Sequence, residues 1–337
     1  MTTGAVIVTW NSAGHIGACL DALRRHEPSM PVAVVDNASA DNTCAAVSGH
    51  DGVRLAANRE NKGFAAAVNQ GIRMLPDCEL ILVLNPDAVI RTNLDAMRAE
   101  FASPHTGACG GRLLDESGAA QRGFEIRRFP TPASLAFETL GLNRVWPSNA
   151  VNRRYRCLDA DTSAPCDAQQ PAGAFLMIRR DAWRETGGFD ESFHPVWFED
   201  VDFLYRLASA GWSIRFTPFA AAGHAGGHSI SRMADGGREL AWYGSLLRYV
   251  VRHFSGAGKA AVCWAVFASA VPRAAVRAVR GPSFRPFSVC VKVMRLSVAA
   301  AVSGRVAGPE GTYREQAFPA SVHECAKLVN SGDRSPH

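Results

Sequence analysis

Through roughly the first hundred residues, short apolar runs alternate with stretches of helical periodicity. Residues 5–10 (Ala5-Val6-Ile7-Val8-Thr9-Trp10), 32–35 and 80–84 are β-type runs, while 16–25 and 64–74 carry apolar positions at helical spacing. That rhythm predicts an α/β fold, a parallel sheet with crossover helices. The run Leu80-Ile81-Leu82-Val83-Leu84 lacks polar alternation, as a strand covered on both faces of a parallel sheet should. Phe216-Thr217-Pro218-Phe219 reads as the last strand, and beyond about residue 236 the pattern becomes basic and helical.

Polar residues close each early strand. Asn11-Ser12 follows the first, Asp36-Asn37-Ala38-Ser39-Ala40-Asp41-Asn42-Thr43 the second, and Asn85-Pro86-Asp87 the run 80–84. Open α/β sheets bind ligands outside the carboxyl ends of their strands, so these segments line one crevice. Asp36 can accept a hydrogen bond from a pyrimidine N3–H, and Asp41 or Asn42 can cap a helix beginning near Thr43. Pro86 blocks ladder pairing and turns the chain, which aims Asp87 into the crevice as a carboxylate for a hard, phosphate-binding cation. On its own the tripeptide reads more readily as a plain turn.

A second acidic cluster, Trp197-Phe198-Glu199-Asp200-Val201-Asp202, opens a segment with apolar positions at Val201, Leu204 and Leu207. Together the two clusters suggest one site that holds a metal and moves a proton. Asp202 and Arg206 are spaced to pair on one helical face, which marks Asp202 as structural. Glu199 suits either a helix amino terminus or acceptor hydroxyls, and crowding of like charges raises at least one carboxylate pKa. Trp197, Phe198 and Trp212 can stack on sugar faces or pack in the core; Trp197 is the one we assign to a sugar.

Composition narrows the class. With 337 residues and 47% hydrophobic content the chain can bury a large core, one big domain plus an appendage. Its nine cysteines are scattered without a Cys-x-x-Cys spacing, which favours reduced thiols over disulfides or zinc. No basic start and apolar stretch of signal length precedes residue 5, so the catalytic part is expected in the cytoplasm. Glycine fingerprints are absent: Ser255-Gly256-Ala257-Gly258-Lys259 is followed by Ala260 rather than Ser or Thr, and His253 stands where a P-loop begins with glycine. His224 and His228 have helical spacing, but Gly223, Gly226 and Gly227 argue for a loop with one useful histidine.

Over about residues 1–235 the chain resembles glycosyltransferase family 2. The matching stretches run in the family's order: Val6 to Ser12, Val35 to Asp41, Asn61-Lys62-Gly63-Phe64 on to Gly71, and Leu84-Asn85-Pro86-Asp87. Gly110 to Leu114, Ala172 to Leu176, Gly187 to Glu191 and Phe198 to Asp202 complete them. The resemblance implies a GT-A nucleotide-sugar-binding fold, a mostly parallel central sheet flanked by helices, with a C-terminal helical extension. It divides the chain into 1–105 (nucleotide-sugar half), 106–235 (acceptor and catalytic half), a basic helical appendage at 236–303 and a partly disordered tail at 304–337.

By the same resemblance Asp36 reads a uracil or thymine base, with Thr9 and Asn11 nearby, while Asn61 and Lys62 lie beside the nucleotide or its phosphates. The family's first acidic motif is often Asp-x-Asp; here Asn85 takes the first position, leaving metal binding to Asp87 and a ribose or metal-bound water to Asn85. His224 stands where the family commonly has a histidine near metal and diphosphate; the alternative is an ordinary core histidine. The implied cofactor is a divalent cation, Mg2+ or Mn2+. Asp200 is assigned as general base, with Glu199 beside it and Trp197 and Glu199 toward the acceptor. Attack opposite the leaving group makes the enzyme inverting.

The Asn-Pro-Asp form resembles the rhamnosyltransferase-like branch, so dTDP-rhamnose is the favoured donor and a glycan or lipid-linked glycan of cell-surface polysaccharide the acceptor. The alternatives are a UDP-hexose donor and a nucleotide-sugar-binding protein without turnover. A nucleotidyltransferase would need a glycine- and arginine-rich loop where Asn11-Ser12-Ala13-Gly14-His15 stands.

After residue 236 Arg238, Arg248, Arg252, Lys259, Arg273, Arg277, Arg280, Arg285, Lys292, Arg295 and Arg305 face only Glu239 and Glu310 before Arg314. The apolar run 260–271 is shorter than a bilayer requires, and with Trp264 and its flanking cations it reads either as an interfacial helix on anionic lipid or as a plain helical appendage. The interfacial reading makes the protein peripheral on the inner face of the plasma membrane. No nucleic-acid recognition motif accompanies the basic stretch.

Overall fold

A computed structural model describes residues 1–226, 235–280, 285–308 and 311–314. The first half alternates as its hydrophobic pattern dictates: β1 (Thr3–Thr9), α1 (Ile16–His26), β2 (Val32–Asp36), α2 (Thr43–Ser48), β3 (Val53–Ala57), α3 (Phe64–Arg73) and β4 (Leu80–Leu84). The second half begins with β5 (Ala88–Ile90), α4 (Asp95–Glu100), β6 (Thr106–Leu114), β7 (Ile126–Arg127), α5 (Pro132–Thr139), α6 (Leu142–Val145) and α7 (Ala150–Tyr155). It continues through β8 (Cys166–Asp167), β9 (Gln170–Pro171), β10 (Phe175–Arg179), α8 (Arg180–Glu185), α9 (Glu199–Ser209) and β11 (Ser213–His224). Three long helices follow, α10 (Asp235–His253), α11 (Gly256–Arg280) and α12 (Arg285–Ser303), then the hairpin β12 (Arg305–Gly308) and β13 (Gly311–Arg314).

The main sheet runs β3-β2-β1-β4-β10-β6-β11-β5, with β8 added on β11. β1, β2, β3 and β4 pair in parallel, and β6 with β11, while β10 and β5 are antiparallel insertions. Period-two alternation sends Leu80, Leu82 and Leu84 of β4 to one face, under Leu20, Leu23 and Phe101, and Ile81 and Val83 to the other, under Ile72, Phe203 and Leu207. The unbroken apolar run is thus explained by helices on both sides. β3 has no such run because its residues are only half-buried at the sheet edge, and for that reason the sequence pattern missed it.

The C-terminal helices do not stand apart. Leu246, Val250, Val262, Val266 and Val293 share a core with Leu135 of α5, Phe198 and Val201. Their apolar content is longer than the run 260–271 suggested: α11 and α12 each hold a stretch, Gly256–Val279 and Pro286–Ser303, long and apolar enough by length and composition to cross a membrane. The helix that holds the run extends beyond it on both sides, from Gly256 through Pro272 and Arg273 to Arg280. The start of the stretch read as tail is also ordered differently, since β12 and β13 pair and Val306 is fully buried. Residues 315–337, with the disorder expected there, and His228 lie outside the described residues.

Candidate active site

The carboxyl ends of β1, β2 and β4 carry the expected polar turns. Asp36, 1% exposed, accepts hydrogen bonds from Thr9 Oγ1 (2.8 Å), Ser39 N (2.9 Å) and Ser39 Oγ. Asn11, at φ 52°, ties the two loops together: its N–H donates to Ser39 Oγ (2.7 Å) and its side chain accepts from Ala40 N (2.8 Å). Asn42 occupies the α2 N-cap without a side-chain bond, and Asp41 accepts instead from Thr43 N (3.1 Å) and Ala13 N (3.3 Å). Asn61 Oδ1 accepts from Gly63 N (2.9 Å) and its carbonyl meets His194 Nε2 (3.0 Å), whereas Lys62 is exposed.

Asn85-Pro86-Asp87 is the turn between β4 and β5, closed by Ala88 N donating to Asn85 O (3.0 Å). The turn reading of the tripeptide therefore holds for its backbone. β5 pairs with β11 in a register that sets Ala88 opposite His224, and this brings His224 Nε2 to 3.6 Å from Asp87 Oδ1. His224 is buried, stacked on Phe124 at 5.5 Å between ring centroids, with Nδ1 3.3 Å from Gln121 Oε1. One carboxylate and one imidazole are a thin donor set; among the described residues no third His, Cys, Asp or Glu joins them. The pair fits a cation whose other ligands are substrate phosphates and water.

Asp87 and Asn85 share a cavity of about 460 Å³ with Trp197, Glu199 and Asp200. Val8 and Phe64, chain neighbours of Thr9 and Gly63, form its donor-side wall. Trp197 (φ 81°) and Phe198 (φ 67°) both adopt the left-handed region, a strain of about 1–3 kcal/mol each. The tight turn brings Trp197 to the cavity, buries Phe198 where the cavity wall meets the core and starts α9 at Glu199. Acidic residues in that first turn face the positive end of the helix dipole.

Asp200 Oδ1 accepts from Val201 N (2.8 Å) and Oδ2 from Gly173 N (3.2 Å). Burial pushes its carboxyl pKa above the ordinary value, while the Val201 and Gly173 N–H groups and the Arg127 guanidinium pull the other way. A Cβ on residue 173 would stand 2.9 Å from Asp200 Oδ2, so only glycine leaves the carboxylate its place. Glu199 is 4% exposed and its Oε2 is buried without a hydrogen-bond partner. Burial, then the Asp200 charge, holds its pKa well above the carboxylate range. Asp202 is fully buried, in ion pairs with Arg206 Nε (2.8 Å) and Arg252 and in a hydrogen bond with His253 Nε2, the structural role its spacing implied. Trp212 lies elsewhere, donating from Nε1 to Glu185 (3.1 Å).

Sequence reasoning missed the far wall. Arg127 of β7, Glu138 of α5, Tyr155 and Arg156 from the end of α7, Gln170 and Trp242 of α10 all line the cavity. Arg127 packs over the Phe124 and Tyr155 rings at 5.4 and 5.9 Å and donates from Nε to Gly123 O (2.9 Å). The one available signal was the aromatic and cationic interleaving of Phe124-Glu125-Ile126-Arg127-Arg128-Phe129.

Family comparisons agree with this geometry. The model for "Glycosyl transferase family 2" matches residues 5–161, and that for "Glycosyl transferase family group 2" matches residues 152–302. The chain belongs to glycosyltransferase family 2. Within the family it is similar to an N-acetylglucosaminyl-diphospho-decaprenol L-rhamnosyltransferase of Mycobacterium tuberculosis, at 29% identity over 73% of this chain and 88% of the relative. A pre-mycofactocin glycosyltransferase of the same organism is 37% identical over a shorter stretch, 24% of this chain and 16% of that one. Among solved structures, a mannosyltransferase from Pyrobaculum calidifontis in complex with GDP-Man and Mn2+ superposes with TM-score 0.50 and 16% identity, over 98% of this chain and 88% of that one. GalNAc-T7 with UDP, GalNAc and Mn2+ gives TM-score 0.54 and 15% identity over 74% of this chain and 47% of that one. These neighbours establish the GT-A fold.

Proposed function

We propose that this family 2 glycosyltransferase is a metal-dependent inverting enzyme that moves rhamnose from dTDP-rhamnose onto a lipid-linked glycan for cell-surface polysaccharide. The observation that carries the reading is the convergence of Asp87 and Asp200, from two distant acidic motifs, on one cavity. Similarity to a rhamnosyltransferase that acts on a diphospho-decaprenol supports the donor and the class of acceptor.

In this reading Asp36 accepts from the pyrimidine N3–H, held rigid by Thr9 and Ser39. Asp87 and His224 hold the cation, Mg2+ or Mn2+. When bound it acts as a Lewis acid that neutralises the charge growing on the departing nucleoside diphosphate. Asp200 takes the proton of the acceptor hydroxyl as it attacks the anomeric carbon, a contribution of about a hundred- to ten-thousand-fold. Its raised pKa makes it a stronger base than an exposed aspartate. Glu199, whose pKa burial raises, hydrogen-bonds the acceptor, and Trp197 stacks on it. A binding protein without turnover would have no use for Asp200.

Exposed apolar residues on the C-terminal helices, among them Trp264 (63%) and Val279 (87%), lie near Lys259 and Arg277 and suit peripheral contact with an anionic inner membrane face. Calorimetric titration with dTDP-rhamnose and UDP-hexoses, with Mn2+, with Mg2+ and with chelator, tests the donor. Metal-dependent preference for dTDP-rhamnose is expected; preference for a UDP-hexose, which presents the same N3–H to Asp36, would replace the donor and keep the mechanism.

A further inference from the structure

A second concavity, about 510 Å³, lies between α10 and α12 on the other side of the segment that carries Trp197. Its walls are apolar: Leu240, Ala241 and Gly244 from α10, Leu296 and Ala299 from α12, and Pro195. Its charged members are all cationic or imidazole: Arg248, buried on α10, the exposed Lys292 and Arg295 of α12, and His194. No ion pair involves Lys292 or Arg295 among the described residues, and α12 contains no acidic residue. Apolar walls with a cationic rim complement a hydrocarbon chain bearing a phosphate.

Its position says which such lipid. Residues 194–198 separate groove from cavity, His194 and Pro195 facing the groove while Val196, Trp197 and Phe198 face the cavity. The same helix, α10, gives Trp242 to the cavity and Ala241 and Gly244 to the groove. On α12 the groove stripe of Lys292, Arg295, Leu296 and Ala299 adjoins a solvent-facing apolar stripe of Phe287, Val291, Val298 and Val302. A chain rising from a lipid surface therefore meets the groove and then the cavity. Bulk phospholipid has no reason to be led there, whereas an acceptor whose sugar sits at Asp200 does.

We propose that the groove between α10 and α12 seats the phosphate-bearing isoprenoid chain of the acceptor, a carrier-lipid site divided from the catalytic cavity only by residues 194–198. The proposal rests on the lipid-linked acceptor of the preceding reading, and its test needs no turnover. The full chain is titrated with farnesyl diphosphate, a soluble isoprenoid diphosphate, alongside inorganic pyrophosphate and vesicles of phosphatidylglycerol without acceptor.

Saturable farnesyl diphosphate binding is expected, with pyrophosphate at least tenfold weaker. Lys292→Glu combined with Arg295→Glu, both exposed, should weaken it at least tenfold, and so should Ala299→Trp, which fills the groove without changing charge. Asp87→Ala should leave it unaltered, since that carboxylate lies in the cavity. No saturable binding, equal affinity for pyrophosphate, or indifference to both groove variants would overturn the site. If the groove variants instead lose phosphatidylglycerol vesicle binding while farnesyl diphosphate binding persists, the groove is a bilayer contact and the proposal fails. Farnesyl diphosphate binding by a protein that transfers no sugar to a lipid-linked glycan would refute the acceptor reading and leave the site standing.

Discussion

His253 Nε2, at the C-terminal end of α10, lies 2.8 Å from Asp202 Oδ1 in the first turn of α9. Arg206 and Arg252 bind the same buried carboxylate, and Arg252 also pairs with Asp190. The helix that presents Asp200 is thereby fastened to the C-terminal helices by charge as well as by the core that Val201 shares with Leu246 and Val250. Removing Asp202 leaves these cations buried without their partner. Asp202→Ala should cost about 3–5 kcal/mol of stability, measured by urea unfolding.

Acid should loosen the same fastening. Burial lowers the His253 pKa below 6.5, although the Asp202 carboxylate pulls it back up. A histidine whose folded pKa is depressed contributes stability that is complete above its unfolded pKa and is lost as pH falls toward the folded value. Unfolding free energy should therefore decline below about pH 6.5, and His253→Gln should flatten that part of the profile. An unchanged slope in the variant would remove His253 from the account.

The two acidic motifs should separate in function. Asp200→Asn should lower transfer at least about a hundredfold with donor affinity intact, while Asp87→Ala should also weaken metal-supported donor binding. Calorimetry beside initial rates distinguishes them; equal loss of donor binding in both would end the division of roles.

Gly173 offers a test of position without a change in catalytic chemistry. Gly173→Ala forces a Cβ to within 2.9 Å of Asp200 Oδ2 and displaces the carboxylate. A misplacement near 1 Å can cost about a hundredfold, so kcat should fall steeply while donor affinity stays near wild type.

The pH profile should report Asp200 directly. Its raised pKa puts the acidic limb of kcat/KM above the ordinary carboxylate range, with activity lost as pH falls and the base is protonated. Arg127 favours the ionised form, so Arg127→Gln should move that limb to higher pH. A limb that stays in place would mean that another group titrates.

Much of this arrangement was legible from the chain alone. The run 80–84 coincides with β4 (Leu80–Leu84), the turns after β1 and β2 are hydrogen-bonded to each other and the turn after β4 lines the cavity, because period, burial on two faces and turn chemistry are local properties. The spacing of Asp202 and Arg206 announced their pairing for the same reason. β3 was missed because a half-buried edge strand has no strong apolar pattern, and the full length of α11 was missed because its unbroken apolar run, 260–271, is shorter than the helix that holds it.

The sequence by itself determined the α/β architecture, the family and the acidic residues of the site. Tertiary structure decided which residues meet. His224 reaches Asp87 only through the antiparallel register of β5 on β11, Arg127 and Tyr155 reach the cavity from short elements without periodic signal, and Trp242 does so because α10 docks on α9. Such contacts depend on strand order and helix packing between distant segments, and no local pattern of hydrophobic and polar residues encodes them.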